Sequence, residues 1–454
     1  MNLASRLALA SVALVALVAW ERTASACGGC FHEPPKTDKP TVVTDHRMLF
    51  SVGQGQSTLY DQIRYQGTPE QFAWILPITA EVEVGLSSDA LFGTIDAVTQ
   101  TSVLEPPMNC PTRPSGCRSS GGCSSSEATA AFDSEGKAGG APQVTVTKRE
   151  VVGPYETVQI QSKDPQALTT WLKDNGFVLT EEVRPVVEQY VRENFNFLAL
   201  KLRPGSSVQS MRPVRVTSKG PSVVLPLRMV AAGTGATVGI TLWVTAQGRY
   251  EPKNFPIYGI ANSDLVWRWK EGASNYKEVR AAKAAAAGGR AWELESYTAL
   301  DASVFGFALD DAERDPQTGR STVSVDYPQQ QGKTSEQLRD EDQRIAVGTA
   351  QGSFRVTRLR ADLPKAALSE DLVLSASADQ SIIALQRRPA KEEGEPLCPV
   401  WDGCETNGTA PRSEAITRSS GSCSTAGGAS EHGALLAGLG FAALAMVRAR
   451  ARRR

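Results

Sequence analysis

The residues best suited to chemistry open the body of the chain, where Cys27 and Cys30 flank two glycines and His32 follows closely. A C-x-x-C pair performs thiol–disulfide exchange or supplies half of a metal site. Exchange needs a helix N-terminus directly behind the pair to lower the first thiol's pKa, and here Pro34-Pro35 follows with no βαβ context. A tetrahedral set of Cys27, Cys30, His32 and His46 has suitable ligand types, but neither a second C-x-x-C nor an H-x-x-x-H supports it. Nucleophilic catalysis would fall to His46, in Asp45-His46-Arg47, as the base of an exported hydrolase or transferase. The plainer reading of His46 is a polar residue at a strand start, hydrogen-bonded locally. The run Asp310-Asp311-Ala312-Glu313-Arg314-Asp315 lacks the alternation and closing Glu of a calcium loop. G-x-S-x-G, phosphate-loop, H-E-x-x-H and S-x-x-K motifs do not occur. The sequence therefore assigns no catalytic residue, no metal and no cofactor.

Cysteine placement favours disulfides over thiolate chemistry. Cys27, Cys30, Cys110, Cys117, Cys123, Cys398 and Cys404 lie at the edges of the body and in linkers, which suits an oxidising compartment. An eighth, Cys423, falls in the C-terminal tail. The most local candidate bridge joins Cys398 to Cys404 across Pro-Val-Trp-Asp-Gly, with turn chemistry at Asp402-Gly403. A further bridge is expected between the N-terminal pair and the group at residues 110–123. Aromatic residues offer a ligand platform at Trp267-Arg268-Trp269 and Trp401, although tryptophans sharing one strand face are more often core. Trp74 and Trp171 belong to the core.

The elements that would hold these residues alternate strand and helix signals. Arg47–Val52, Ser57–Tyr65 and Glu70–Ile78 carry β-branched and aromatic residues between glycine-rich turns, the pattern of a strand meander. Asp164-Pro165 supplies an N-cap and a first-turn proline. Leu168, Trp171 and Leu172 then share a face, and Asn175-Gly176 closes the helix. Pro185 opens a second helix that buries Val186, Val187, Tyr190 and Val191, followed by a strand through Phe195, Phe197 and Ala199. Strands are expected at Arg212–Thr217, Ser222–Val230, Ala236–Ala246 and Leu265–Lys270. An Ala/Lys helix runs from Tyr276 to Ala287, and strand, helix and strand cross Phe354–Leu374. Arg47-Met48 and Arg228-Met229, each followed by a Gly-x-Gly turn and an alternating run, suggest a faint internal repeat. The expected fold is α+β, a sheet-rich body of antiparallel strands with a few short helices and disulfide-tethered loops.

Both ends read as sorting signals. Arg6 precedes an apolar run from Leu7 to Val18, and Ala24-Ser25-Ala26 forms a small-residue cleavage site before Cys27, so residues 1–26 are expected to be a secretory signal peptide. Lipidation of Cys27 is the rival, but such sites usually carry Leu where Ala24 stands. From Gly433 an uncharged stretch runs to Val447 and five arginines close the chain. At roughly 22 Å as a helix it is short for a durable anchor, and the arginines mark a cytoplasmic side. Ser/Gly/Ala-rich composition marks a mobile loop at 111–142 within a body spanning 27–390, a point at which two subdomains could divide, and a stalk at 391–432 before the sorting segment 433–454.

The tail, with Gly421-Ser422-Cys423-Ser424, a small-residue spacer, an apolar segment and terminal arginines, resembles the myxobacterial C-terminal sorting domain. That resemblance implies a membrane protease that removes the helix, leaving Cys423 as the processed end at the cell surface. In the body, Ala26-Cys27-Gly28-Gly29-Cys30-Phe31, His46-Arg47-Met48, Tyr60-Asp61-Gln62-Ile63-Arg64-Tyr65 and Phe72-Ala73-Trp74-Ile75-Leu76-Pro77 resemble the domain-of-unknown-function family numbered 2330. Its members are exported bacterial proteins with no established activity, so it lends no catalytic residue.

Lys plus Arg total 48 against 49 for Asp plus Glu, which argues against nucleic acid as a partner, and 41% hydrophobic residues suffice for a real core. The expected function is a non-enzymatic binding or structural module of the cell envelope. Its expected partners are the secretion machinery, a C-terminal processing protease, the membrane and an envelope or matrix ligand. A thiol–disulfide or metal protein centred on Cys27 and Cys30 is a further alternative.

Overall fold

A computed structural model describes residues 30–31, 42–53, 55–66, 73–113, 145–177, 183–206, 210–220, 223–231, 234–330, 332–348 and 352–420. Residues 1–26, read as a signal peptide, Cys27, most of the Ser/Gly-rich stretch with Cys117 and Cys123, and the tail with Cys423 lie outside them. Among the described residues no helix is long and apolar enough to cross a membrane. They form two compact units, one of residues up to Pro107 together with those up to Gly394 beyond the loop, the other of residues from Met108 and from Glu395.

The first half of the large unit opens with strands β1 (Cys30–Phe31), β2 (Val42–Val52), β3 (Gln56–Gln66), β4 (Ala73–Ile78) and β5 (Glu83–Leu86), then helix α1 (Asp89–Thr99). After the loop come β6 (Thr145–Val152), β7 (Tyr155–Gln161), α2 (Pro165–Asp174), α3 (Arg184–Arg192) and β8 (Asn196–Leu202). The second half adds β9 (Val214–Lys219), β10 (Thr234–Ala246), β11 (Ile257–Tyr258), α4 (Tyr276–Ala286), β12 (Trp292–Asp301), α5 (Ala302–Ala312), α6 (Ser335–Val347) and β13 (Ser353–Pro364). Two sheets result, one ordered β1-β4-β8-β7-β6 and the other β11-β12-β13-β10-β2-β3-β9-β5.

Period-two alternation then builds four layers. Trp74, Leu76, Leu198 and Leu200 of the five-stranded sheet meet Met48, Phe50, Leu59, Ile240 and Leu242 of the eight-stranded sheet in one apolar cluster. Ile75, Phe197 and Ala199 point the other way, under Leu168, Trp171 and Leu172 of α2 and Val187, Tyr190 and Val191 of α3. Leu49, Tyr60, Trp243 and Val356 leave the opposite side of the larger sheet and are covered by α1, α5 and α6 through Phe92, Phe305 and Ala346. The body is thus a helix–sheet–sheet–helix sandwich, α+β as expected.

Several local signals act as read. The Asp164 side chain accepts from the Gln166 amide at 2.8 Å, Pro165 begins α2, and Gly176 takes φ +82° past its end. Trp74 and Trp171 are buried. Other signals misled. β2 and β3 pair as a hairpin, but β4 departs to the other sheet, so the three strands are not one meander. The eight-stranded sheet is mixed, because β10 lies parallel to β2 and β11 parallel to β12. Ser222–Val230 is a two-residue strand followed by the short helix Leu227–Ala231. Arg228-Met229 is therefore helical while Arg47-Met48 lies in β2, and the two segments do not repeat one another.

The small unit corrects the cysteine and stalk expectations. Residues 395–420, read as linker, form a hairpin of β14 (Leu397–Asp402) and β15 (Glu405–Pro411) and the helix α7 (Arg412–Ser420). Cys398 bonds to Cys110, not to Cys404. The reason is geometric: Asp402 and Glu405 pair beside the turn while Cys398 lies opposite Ala410. The turn therefore holds Cys404 roughly 14 Å from Cys398, beyond the Cα separation a disulfide tolerates. Cys404 is itself disulfide-bonded. The bridge also takes Cys110 out of any pairing with Cys27 or Cys30. Trp401, a candidate platform residue in the sequence, donates its indole N–H to the Pro111 carbonyl at 2.8 Å. Replacing Cys110 and Cys398 with serine should cost this unit up to about 5 kcal/mol, given the long loop closed. Limited proteolysis of the variant should then cut within 395–420 where the wild type resists. Equal resistance would show that the hairpin and helix hold without the bridge.

Candidate functional site

Among the described residues a charged pocket lies at the rim where edge strands β5 and β6 meet α6. A cleft of about 360 Å³ opens there. Arg215 forms its floor. On β9 it stands between Tyr60 of β3 and Gly85 of β5 in the pairing register. Gly85 makes its position possible, since a Cβ there would lie 2.7 Å from the Arg215 Nε and Nη2 atoms. The guanidinium lies flat across the β5 backbone and extends to α6.

Asp342 of α6 anchors it from behind and is fully buried. Its carboxylate accepts from Ser87 Oγ at 2.6 Å, Tyr327 Oη at 2.8 Å and Arg215 Nη1 at 3.4 Å, and Tyr60 Oη donates to its carbonyl at 3.2 Å. Burial raises the Asp342 pKa, with Arg215 and the donors opposing. Burial, then the Asp342 charge, pushes the Tyr60 and Tyr327 hydroxyls far up, so both remain donors. For Arg215 burial is the largest single influence and works downward, and Asp342, Tyr60 and Glu341 together outweigh it, leaving a net raising. A buried arginine so compensated is fixed in place and stays charged.

The mouth carries paired charges of both signs. Glu341, one residue along α6, accepts from Arg215 Nη2 at 2.9 Å through one oxygen and from the half-exposed Lys333 through the other. Burial tends to raise the Glu341 pKa, and Lys333 and Arg215 overcome it, leaving a net lowering. Lys148 pairs with Glu150 on β6, and Glu83 completes the charged lining. With its charges balanced and few apolar side chains, the cleft suits a small polar ligand with charged groups.

Among the described residues, none of the candidate site residues read from the sequence lines this cleft, and Cys27, His32, Cys117, Cys123 and Cys423 lie outside them. His46 lies in the inter-sheet layer, 1% exposed, its Nδ1 3.4 Å from Asp61 Oδ1. It lies within the strand Val42–Val52 and not at its start. Its Nε2, where a nucleophile would have to sit, meets no hydrogen-bond partner. Cys30 begins β1, whose backbone pairs with β4 opposite Trp74, so a strand stands where a redox pair needs a helix start. Trp267 is buried, and Trp269 meets it edge-on and donates to Glu392 at 2.7 Å. The acidic run is spent on structure: Asp310 and Glu313 hold Arg339, and Asp315 accepts from the amides of Gln317 and Thr318. Among the described residues no cluster of three acidic, His or Cys side chains could hold a metal. Arg215 and Asp342 gave no sequence signal, because nothing in the primary order links β9 to a polar helix more than a hundred residues on. A capping box at Thr334 and Gln337 with left-handed Gly348 could have located α6.

Residues 22–372 match the family described as uncharacterized protein conserved in bacteria, DUF2330. The chain belongs to this family. In this DUF2330 protein the matched span contains the whole cleft, whereas residues 395–420 of the small unit fall beyond it. No curated protein matches the chain. Among solved structures, baculovirus P35 aligns at 10% identity with a TM-score of 0.27. The alignment covers 46% of this chain and 66% of that one, so it spans less than two thirds of P35. A likeness this slight bears on neither fold nor function.

Two outcomes test the DUF2330 site and its surroundings. Gly85→Ala should displace the Arg215 guanidinium and cost about 1–3 kcal/mol, visible as a lowered urea midpoint. An unchanged midpoint would mean that the guanidinium does not need the bare backbone. Glu313, 2% exposed with one oxygen unpaired, has its pKa raised by burial from 4.5 to about 7. Below about pH 4.5 it is protonated folded or unfolded. Between about pH 4.5 and 7 the unfolded state gives up its proton while the folded state keeps it, so roughly 3 kcal/mol of stability is lost across that window and the loss is complete once pH has passed 7. Melting curves at pH 5, 6.5 and 8 should show Glu313→Gln losing less stability than the wild type, and parallel curves would refute the assignment.

Proposed function

We propose that this DUF2330 protein is exported and serves at the bacterial cell surface as a non-enzymatic binding module, with the Arg215 cleft as its ligand site. The observation that carries the reading is the preorganised guanidinium. Tyr60, Tyr327 and Ser87 all donate to Asp342, and the residue they fix accepts from the Arg215 cation at the floor of an open pocket. Fixing a charge before the ligand arrives lowers the ordering cost of binding.

The sequence supports the address. The signal-like segment ending at Ala26 directs export, and the apolar stretch with terminal arginines resembles a surface-sorting tail processed near Cys423. The secretion machinery, a processing protease and a membrane or lipid attachment are its partners in this reading, with an envelope or matrix component as ligand. Intact-mass analysis of the protein from its native envelope should give an N-terminus at Cys27 and a C-terminus near Cys423. The recovered protein should be retained by an immobilised wall, polysaccharide or envelope-protein fraction. Recovery with residues 1–26 in place, or passage through every fraction, would overturn the proposal.

A further inference from the structure

Glu341 occupies the cleft in the way a bound ligand would. It is the rim carboxylate of α6, 25% exposed, and its two oxygens are divided between Arg215 and Lys333. Arg215 cannot follow a moving partner, since Gly85 beneath and Asp342 behind hold its plane. Lys333 can, with 46% of its side chain exposed in the turn at the cleft mouth. One fixed guanidinium and one adjustable ammonium make a two-point carboxylate receptor, of which the arginine gives direction and the lysine charge.

We propose that the cleft takes a ligand carboxylate between Arg215 and Lys333, and that Glu341 is the internal competitor this carboxylate displaces. The inference rests on reading the cleft as the ligand site. Exchange of one carboxylate for another leaves the local charge unchanged, and Glu341 moves only from the rim into water. A partly exposed ion pair contributes little to stability, so its release costs little. Asp342 remains buried throughout and keeps Arg215 compensated. At about 360 Å³ the cleft is at the small end of ligand sites, so it takes one terminal unit of a larger molecule. Lys148, Glu150 and Glu83 across the opening select a polar remainder. Such a carboxylate belongs to a peptide C-terminus or to a uronic acid.

The test titrates the full mature chain by calorimetry with N-acetyl-trialanine and with digalacturonic acid, using trialanine amide and a neutral disaccharide as controls. One carboxylate probe should bind and its neutral counterpart should not; the responding arm identifies the source. Glu341→Gln should tighten binding about tenfold and Lys333→Gln weaken it about tenfold, near 1.4 kcal/mol each. Both positions lie at the rim, so both variants should keep the wild-type melting curve. Failure of both probes to bind Glu341→Gln at millimolar concentration would overturn the carboxylate site, as would unaltered binding in Lys333→Gln. If an envelope fraction still retains the protein while neither probe binds or competes, the binding function stands and this inference alone falls.

Discussion

Everything in the large unit depends on two sheets meeting face to face while each also carries helices on its other side. A strand buried on both faces has no solvent side on which to put charge. Leu49 and Met48, or Ile75 and Leu76, are neighbours in sequence that belong to different apolar layers. Polar function is therefore confined to places where a layer ends. β5 and β6 are such ends, the last strands of their respective sheets, and the cleft lies beside both.

The same constraint governs the charges that do enter the interior. Arg358 reaches Glu295 and Asp96 at 2.5 and 2.6 Å, and Arg228 binds Glu193 and Asp371 while lying over the Tyr190 ring at 4.2 Å. Arg215 follows the pattern with Asp342 and Glu341. Each arginine joins segments far apart in the chain. Removing the more deeply buried carboxylate of each set would strand a buried charge, so these pairs tie strand register to helix placement more than they add net stability. What sets Arg215 apart is that its second carboxylate, Glu341, stands at an opening.

Legibility in the sequence tracked how local the cause was. The helix Pro165–Asp174 was plain because its cap, its apolar face and its stop all lie within a dozen residues. Alternation located β2, β3, β10 and β13 but could not say which sheet each joins, since a two-face-buried strand has no distinctive side. α5 was masked by the acidic residues at its end, and α6 by its composition, because Ser335, Asp342, Ala346 and Val347 are what it buries and they make no apolar stripe. The Cys110–Cys398 bond was hidden for the same reason as the cleft: both are contacts between segments that only the fold brings together.

The parallel neighbours β2 and β10, with Arg47 opposite Thr241, bear on how the chain can acquire this structure. A chain made from its N-terminus presents the β2–β3 hairpin long before β10 and β13 exist to cover its open side. Until then Met48, Leu49, Phe50, Leu59 and Tyr60 of that hairpin stand uncovered beside an unpaired edge, the kind of surface that recruits other copies. Pairings across such distances in sequence also close slowly. Folding yield should therefore be limited by how long the early hairpin is kept from company, and a holdase acting on the first hundred residues would matter more to this protein than any added stability of the finished sandwich.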